Sequence, residues 1–145
     1  GADCCARELL HRPSGGSLDP ASQESLTSRG HFLKMNGREI FKSAVRVMER
    51  AAREILSEHG YKESDVDHII PHQANARIVE SLSQRLDIPL EKFYCNLDKY
   101  GNTSAASIPI ALDEARRTSF VQKDQLGLMV AFGAGLTWSA ALVRF

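Results

Sequence analysis

Residues 66–86, VDHIIPHQANARIVESLSQRL, change in mid-course from the pattern of a strand to that of a helix. Val66–Ile70 is a short, partly β-branched run, which indicates a buried strand. From Asn75 to Leu86 apolar residues recur at three- and four-residue steps, which predicts a helix that ends before Pro89. A strand followed directly by a helix is the building unit of α/β domains, so we expect similar units on either side.

The alternation of helix and strand continues in both directions. Residues 34–59 carry an apolar stripe at helical spacing, and Gly60 is placed to end that helix. The other predicted elements are a strand at Phe93–Leu97, a helix at Ser104–Arg117 with Pro109 in its first turn, and strands at Leu126–Phe132 and Leu136–Phe145. The last two flank a short glycine turn and should form an antiparallel hairpin. We therefore expect an α/β domain at 34–145, with a mixed sheet, helices packed on it and a C-terminal hairpin.

Residues 1–33 differ from this domain. They show no sustained period and are rich in turn formers between Pro13 and Pro20, so we interpret them as an irregular surface segment.

Composition narrows the classes of function. Eighteen basic and eighteen acidic side chains cancel, which argues against nucleic acid or an anionic membrane as the main partner. No apolar run approaches the roughly 18 residues of a membrane span. The three cysteines are Cys4, Cys5 and Cys95, an odd number with two adjacent, which favours a reducing cytoplasm over a disulfide framework.

Three loops should meet at one edge of the sheet, because sites in open α/β sheets form beyond the carboxyl ends of strands. They are Pro71–Asn75, Tyr100–Ser104 and Phe132–Gly135. Together they hold an imidazole, a carboxamide and a tight set of backbone N–H donors. Such a set can stabilise negative charge on a carbonyl oxygen.

Each loop also has a purely structural interpretation. A histidine after a strand is often a hydrogen-bonded structural residue, and an asparagine after glycine is usually a turn residue. A Gly-x-Gly between strands is usually a hairpin turn. The residues taken singly leave both interpretations open.

Three stretches of the chain resemble, in the same order and at similar spacing, the C-terminal signatures of 3-oxoacyl-(acyl carrier protein) synthase III enzymes: IPHQANAR at 70–77, YGNTSAASIP at 100–109 and AFGAGLTW at 131–138. MNGREIFK at 35–42 is similar to the family's stretch at the start of its long helix, and ALVRF at 141–145 to its C-terminus. The resemblance covers about Leu33 to Phe145. The related elongating synthases use Cys-His-His, so Asn102 points to the initiating branch or its near relatives.

This resemblance implies a thiolase-like fold of two similar halves, of which the chain matches the second. It implies that His72 and Asn102 are two of three catalytic residues, the third being a cysteine in the first half. The implied reaction joins a short acyl-coenzyme A to malonyl-acyl carrier protein with decarboxylation, which initiates fatty acid synthesis. His72 Nε2 and Asn102 Nδ2 would stabilise the enolate oxygen. No cofactor is implied, since coenzyme A enters as a substrate thioester.

The resemblance also assigns binding roles. The backbone N–H of Ala134 would belong to an oxyanion turn, although the family usually has glycine there and the methyl group would narrow the pocket or need a different φ. Asn75 would lie near the pantetheine arm. Arg77 and Lys42 would meet the acidic carrier protein or coenzyme A phosphates, with an ordinary solvated lysine as the alternative for Lys42. We expect the full enzyme to be a homodimer, and this chain to be covered by the missing N-terminal half or by a second copy.

No cysteine of the chain matches the context of the nucleophile. We interpret Cys95 as a small core residue within a strand, so the chain alone is expected to be inactive. Three alternatives remain: a non-catalytic half-domain, a sister acyltransferase with a different acyl substrate, and a metal site. Candidate metal ligands would be Cys4, Cys5, His11, His68 and His72, but their spacing fits no zinc pattern.

Overall fold

The computed structural model describes all 145 residues. The helices are α1 (Gln23–Thr27), α2 (Gly37–Glu58), α3 (Ala76–Leu86), α4 (Leu97–Tyr100) and α5 (Ser107–Arg117). The strands are β1 (Leu10–His11), β2 (Lys34–Met35), β3 (His68–Pro71), β4 (Leu126–Gly133) and β5 (Thr137–Arg144). Residues 1–33, where the sequence predicts irregular structure, hold only short elements. No helix of the chain has the length and hydropathy of a membrane span.

Helix α2 confirms the prediction from the apolar stripe, including its end. Asn36 caps its start by accepting a hydrogen bond from the Glu39 N–H. At its other end Gly60 has a φ of 74°, and the N–H groups of Gly60 and Tyr61 donate to the carbonyls of Ser57 and Leu56. This is the Schellman arrangement, in which glycine adopts the left-handed conformation without a Cβ penalty.

The main sheet has the order β3-β4-β5 and is mixed, as predicted. Strand β3 pairs parallel with β4, and β4 forms the expected antiparallel hairpin with β5. Successive residues of β3 point to opposite faces: Ile69 joins the core under α2 and α3, whereas Ile70 packs in a second cluster with Ala111 and Ala115 of α5. The domain is therefore three layers deep, with helices on both faces of the sheet.

The prediction of a strand at Phe93–Leu97 is wrong. Only one parallel bridge forms there, between Phe93 and Ile69, and α4 begins at Leu97. Pairing stops because the next residue of β3 that should donate is Pro71, which has no N–H. Hydrogen bonds from the side chain of Gln73 replace the missing backbone hydrogen bonds and hold residues 94–96 alongside β3.

Cys95 is not the buried core residue that the sequence suggests. It is exposed, because the segment leaves the sheet after Phe93 and never becomes a strand interior. Desolvation nevertheless raises the pKa of its thiol, and the nearby Asp98 carboxylate adds to the effect. The thiolate form is therefore disfavoured.

Strand β5 lies at the edge of the sheet, and only its beginning is covered. Ala2 bridges Thr137 in antiparallel fashion, and Asp3 exchanges both backbone hydrogen bonds with Leu136, at 2.7 and 3.0 Å. Beyond Trp138 no strand of the chain pairs with the outer edge of β5. An unpaired edge of this length is a template for pairing with another chain.

We expect the chain on its own to self-associate through this edge. Light scattering after gel filtration should give a mass of a dimer or larger. Lysine at Ser139 and Ala141, both exposed, should shift the chain toward monomer because charged side chains deter edge pairing. Ser57→Lys on α2 is the matched control and should leave the mass unchanged. A monodisperse parent monomer with an intact sheet would contradict this prediction.

Candidate active site

His72 stands directly after the carboxyl end of β3. Its backbone N–H donates to the Val130 carbonyl at 2.8 Å, which extends the parallel pairing of β3 and β4 by one residue. The residue is half-buried. Burial lowers the pKa of its imidazole from 6.5, and the nearby backbone of Ser104 acts in the opposite direction. The neutral imidazole therefore predominates at pH 7.

Asn102 lies in the loop between α4 and the 3-10 turn that precedes α5. Gly101 before it has φ 68° and ψ −162°, a conformation open essentially only to glycine. The side-chain oxygen Oδ1 accepts a hydrogen bond from the Ser104 N–H at 3.0 Å. This turn fixes the carboxamide and leaves Nδ2, a donor, without a partner in the chain, on an exposed residue.

The backbone of Ser104 lies near both side chains. Its N–H donates to Asn102 Oδ1, and it is near enough to the His72 imidazole to raise the pKa of that ring against the effect of burial. Ser104 has a φ of 54°, a left-handed conformation that serine adopts only when its surroundings hold it there. The structure thus brings the His72 and Asn102 loops into contact at one edge of the sheet. Ser104 is a residue that reasoning from sequence did not single out.

Ala134 occupies the turn between β4 and β5, at the same edge. It is exposed, and its carbonyl accepts a hydrogen bond from Thr137 Oγ1 at 3.2 Å. Its φ is not in the left-handed region, so its methyl group does not strain the turn. The glycine conformation is needed instead at Gly135, where φ is 140°.

The three residues assigned to binding lie on the helices beside this edge. Asn75 is exposed and caps α3, since its Oδ1 accepts from the Ile78 N–H at 3.1 Å. Arg77 places its guanidinium 5.4 Å from the centre of the Phe41 ring. Lys42 pairs with Glu39 at 3.0 Å, and both side chains are about half exposed. Lys42 thus already has a partner within its own helix.

The proposed metal ligands do not come together: no three His, Cys, Asp or Glu side chains of the chain are grouped so that they could hold a metal ion. His68 bonds Gln125 through Nε2 at 2.8 Å. Cys4 and Cys5 are exposed, in the first turn of a 3-10 helix at Cys4–Leu9.

The lowered pKa of His72 predicts a specific pH dependence of stability. Because the folded chain binds this proton less readily than the unfolded chain, the free energy of unfolding should fall as the pH drops below the unfolded value of about 6.5. Nuclear magnetic resonance should place the His72 midpoint below 6.5. Urea unfolding between pH 7.5 and about 5.5 should show a smaller loss for His72→Gln than for the parent. A His72 midpoint above the unfolded value would contradict the prediction.

Comparison with known proteins identifies the family. The family described as 3-oxoacyl-[acyl-carrier-protein (ACP)] synthase III C terminal matches residues 56–145. The chain belongs to this family.

Synthase III relatives match the chain over its whole length. Beta-ketoacyl-[acyl-carrier-protein] synthase III of Caldanaerobacter subterraneus is 49% identical over 145 residues, which are 100% of this chain and 44% of the relative. The protein of the same name from Natranaerobius thermophilus is 48% identical with the same coverage. The chain thus spans less than half the length of the curated synthase III proteins that it matches.

Solved synthase III structures show the same fold. The crystal structure of 3-oxoacyl-[acyl-carrier-protein] synthase III from Aquifex aeolicus matches with a TM-score of 0.85 at 46% identity, and covers 100% of this chain and 42% of that one. Another synthase III crystal structure reaches a TM-score of 0.93 at 27% identity. The chain is the C-terminal part of a thiolase-like synthase III fold, as the sequence motifs predict.

Proposed function

We propose that this chain forms the C-terminal part of a condensing enzyme that joins a short acyl-coenzyme A to malonyl-acyl carrier protein and releases carbon dioxide. The observation that carries the proposal is that the Ser104 N–H fixes Asn102 through Oδ1 and leaves Nδ2 as a free donor, in a loop whose residue Ser104 also raises the pKa of His72. Two neighbouring donors suit an oxygen on which charge develops.

The reaction needs a thiolate from outside this chain. That thiolate attacks the carbonyl of the acyl-coenzyme A thioester, and coenzyme A leaves as its thiol after taking up a proton. The acyl group is then held as a thioester on the enzyme. This half-reaction makes no demand on His72 or Asn102.

The decarboxylation half-reaction is where these two residues act. Breaking the bond between the malonyl carboxylate and its α-carbon releases carbon dioxide and leaves the electron pair on the α-carbon, delocalised onto the thioester oxygen. His72 Nε2–H and Asn102 Nδ2–H donate to that oxygen and stabilise the enolate. The α-carbon then attacks the acyl carbonyl, and the enzyme thiolate leaves. The N–H of Ala134 is placed in the turn to stabilise the oxyanion of this last step.

The carrier protein is proposed to dock on the groove between α2 and α3. This groove has a volume of about 410 Å³, and its charged lining consists of three basic side chains, Lys42, Arg46 and Arg85, and one acidic side chain, Glu39. Arg77 lies beside it on Phe41. Basic side chains around an open groove suit an acidic protein partner. Asn75, at the start of α3, is then placed along the path of the pantetheine arm.

The proposal extends to assembly and compartment. The chain spans 44% of the length of the Caldanaerobacter relative. An N-terminal half would supply the remaining walls around His72 and Asn102. We place the complete protein in the cytoplasm, since a catalytic thiol must stay reduced, and we propose that it is a homodimer.

The test is a completed enzyme, in which the N-terminal residues of the Caldanaerobacter relative that precede the matched part are joined ahead of Gly1. With acetyl-coenzyme A and malonyl-acyl carrier protein, it should release carbon dioxide and form a 3-oxoacyl-carrier protein. A folded completed enzyme that neither decarboxylates nor condenses would favour the alternative of a non-catalytic half-domain. Activity only with longer acyl thioesters would favour a sister acyltransferase.

A further inference from the structure

The parallel ladder beside β3 is interrupted at Pro71. Tyr94 N–H donates to the Ile69 carbonyl at 2.9 Å, in register with the bridge between Ile69 and Phe93. In a regular parallel ladder, the N–H of residue 71 would next donate to the Tyr94 carbonyl, and the Asn96 N–H would donate to the carbonyl of residue 71. Proline has no N–H, so the first of these bonds cannot form.

The side chain of Gln73 takes the place of the missing peptide unit. Its Nε2 donates to the Tyr94 carbonyl at 3.1 Å, and its Oε1 accepts from the Asn96 N–H at 2.9 Å. A carboxamide offers donors and an acceptor, as a peptide unit does. Gln73 is only 1% exposed, so water cannot supply these bonds instead.

The bonds of Gln73 lead onward to the Asn102 loop. Asn96 is the N-cap residue of α4, and α4 ends at Tyr100, two residues before Asn102. The Asn96 side chain donates to Glu114 on α5 at 2.8 Å, and Lys99 of α4 donates to the same carboxylate at 2.6 Å. Lys99, and then Asn96, lowers the pKa of Glu114. The start of α4 is thus held from both sides, by Gln73 and by Glu114.

We propose that Gln73 is a positioning residue that sets the place of Asn102 relative to His72, by carrying the two hydrogen bonds that a regular ladder would place at residue 71, of which Pro71 cannot donate the first. His72 and Gln73 are consecutive residues. The same short stretch of backbone therefore carries the imidazole and the carboxamide that hydrogen-bonds to the segment leading to Asn102. The expected effect of Gln73 on catalysis rests on the proposed function, whereas its effect on the position of Asn102 does not. Misplacing a reacting group by about 1 Å can cost about 100-fold in rate.

The test replaces Gln73 by methionine, which has a similar shape and no carboxamide. In the completed enzyme we expect kcat for malonyl decarboxylation to fall by about 10- to 100-fold. KM for malonyl-carrier protein and the rate of acyl transfer from acetyl-coenzyme A should stay near the parent values. Gln122→Met is the matched control, since Gln122 is exposed and its side chain makes no hydrogen bond in the chain.

A second readout measures placement without activity. The Asn96 N–H has Gln73 as its partner, and the Ser104 N–H has Asn102, so amide hydrogen exchange at both should speed up in Gln73→Met. If Gln73→Met does not fold, Glu114→Ala decides: its carboxylate lies near the surface, and its loss should slow decarboxylation but not acyl transfer. Glu114→Gln keeps an acceptor and should restore most of the rate.

The outcomes separate this inference from the proposed function. An inactive parent enzyme would refute the proposed condensing function. Amide hydrogen exchange at Ser104 would still decide whether Gln73 positions Asn102. Unchanged exchange at Ser104, or equal loss of both half-reactions in a folded Gln73→Met enzyme, would overturn the role of Gln73.

Discussion

Alanine at His72 or at Asn102 in the completed enzyme should reduce malonyl decarboxylation by about 10²- to 10³-fold, the usual cost of removing one donor from an oxyanion site. The structure gives the reason. Asn102 is held by the Ser104 N–H so that Nδ2 is its free donor, and alanine offers none. In the proposed mechanism His72 supplies the other donor, from a half-buried position where water replaces it poorly.

The same variants should acylate at nearly the parent rate, because in the proposed mechanism the attack of the thiolate on acetyl-coenzyme A does not use these donors. The two half-reactions are measured separately, by release of labelled carbon dioxide and by label retained on the protein. His31→Ala, at an exposed histidine far along the chain from the site loops, is the control and should match the parent in both assays. Equal loss of both half-reactions would contradict the separate roles proposed for these residues.

The chain by itself should form no stable acyl-protein when incubated with radiolabelled acetyl-coenzyme A. Acylation needs a thiolate, which is favoured at a helix N-terminus or beside a cation. At Cys95 the opposite holds, because desolvation and Asp98 raise the pKa of the thiol. Near Cys4 and Cys5, the Cys5 N–H already donates to the Asp3 carboxylate at 3.0 Å and is not free to face a thiolate.

The completed enzyme serves as the positive control and should retain about one label per chain, as a single covalent nucleophile requires. Label on the chain alone, abolished by alanine at Cys4, Cys5 or Cys95, would show that the nucleophile lies within these residues after all.

Local patterns predicted most of the fold, because they are properties of neighbouring residues. The stripe along residues 34–59 and the glycine turn after β4 each specify an element without reference to the rest of the chain. The rule that sites form beyond the carboxyl ends of strands put His72 directly after β3, as the structure has it, whereas Asn102 follows helix α4 and not the strand predicted at Phe93–Leu97.

The failures at Phe93–Leu97 and Cys95 have one cause. The conformation of residues 93–97 depends on Gln73. The side chain of Gln73 accepts a hydrogen bond from the N–H of Asn96, which lies 23 residues away in the sequence. No periodicity within residues 93–97 records that contact. A signal did exist elsewhere: a proline at the end of a parallel strand leaves the neighbouring carbonyl without a donor, and a glutamine two residues later can supply one. The role of Ser104 was hidden for a similar reason, since its left-handed φ arises from the turn closed by Asn102.

The position of β5 also determines the order in which the molecule can fold. Backbone hydrogen bonds join Asp3 near one end of the sequence to Leu136 near the other, and β5 is synthesised after every element on which it packs. Trp138, Ala140 and Leu142 complete the core under α2, so that core stays open while the ribosome is still extending the chain. Contacts of such long range close late. Losing a few residues of β5 to premature termination should therefore yield aggregation-prone chains, and not folded proteins with a frayed end.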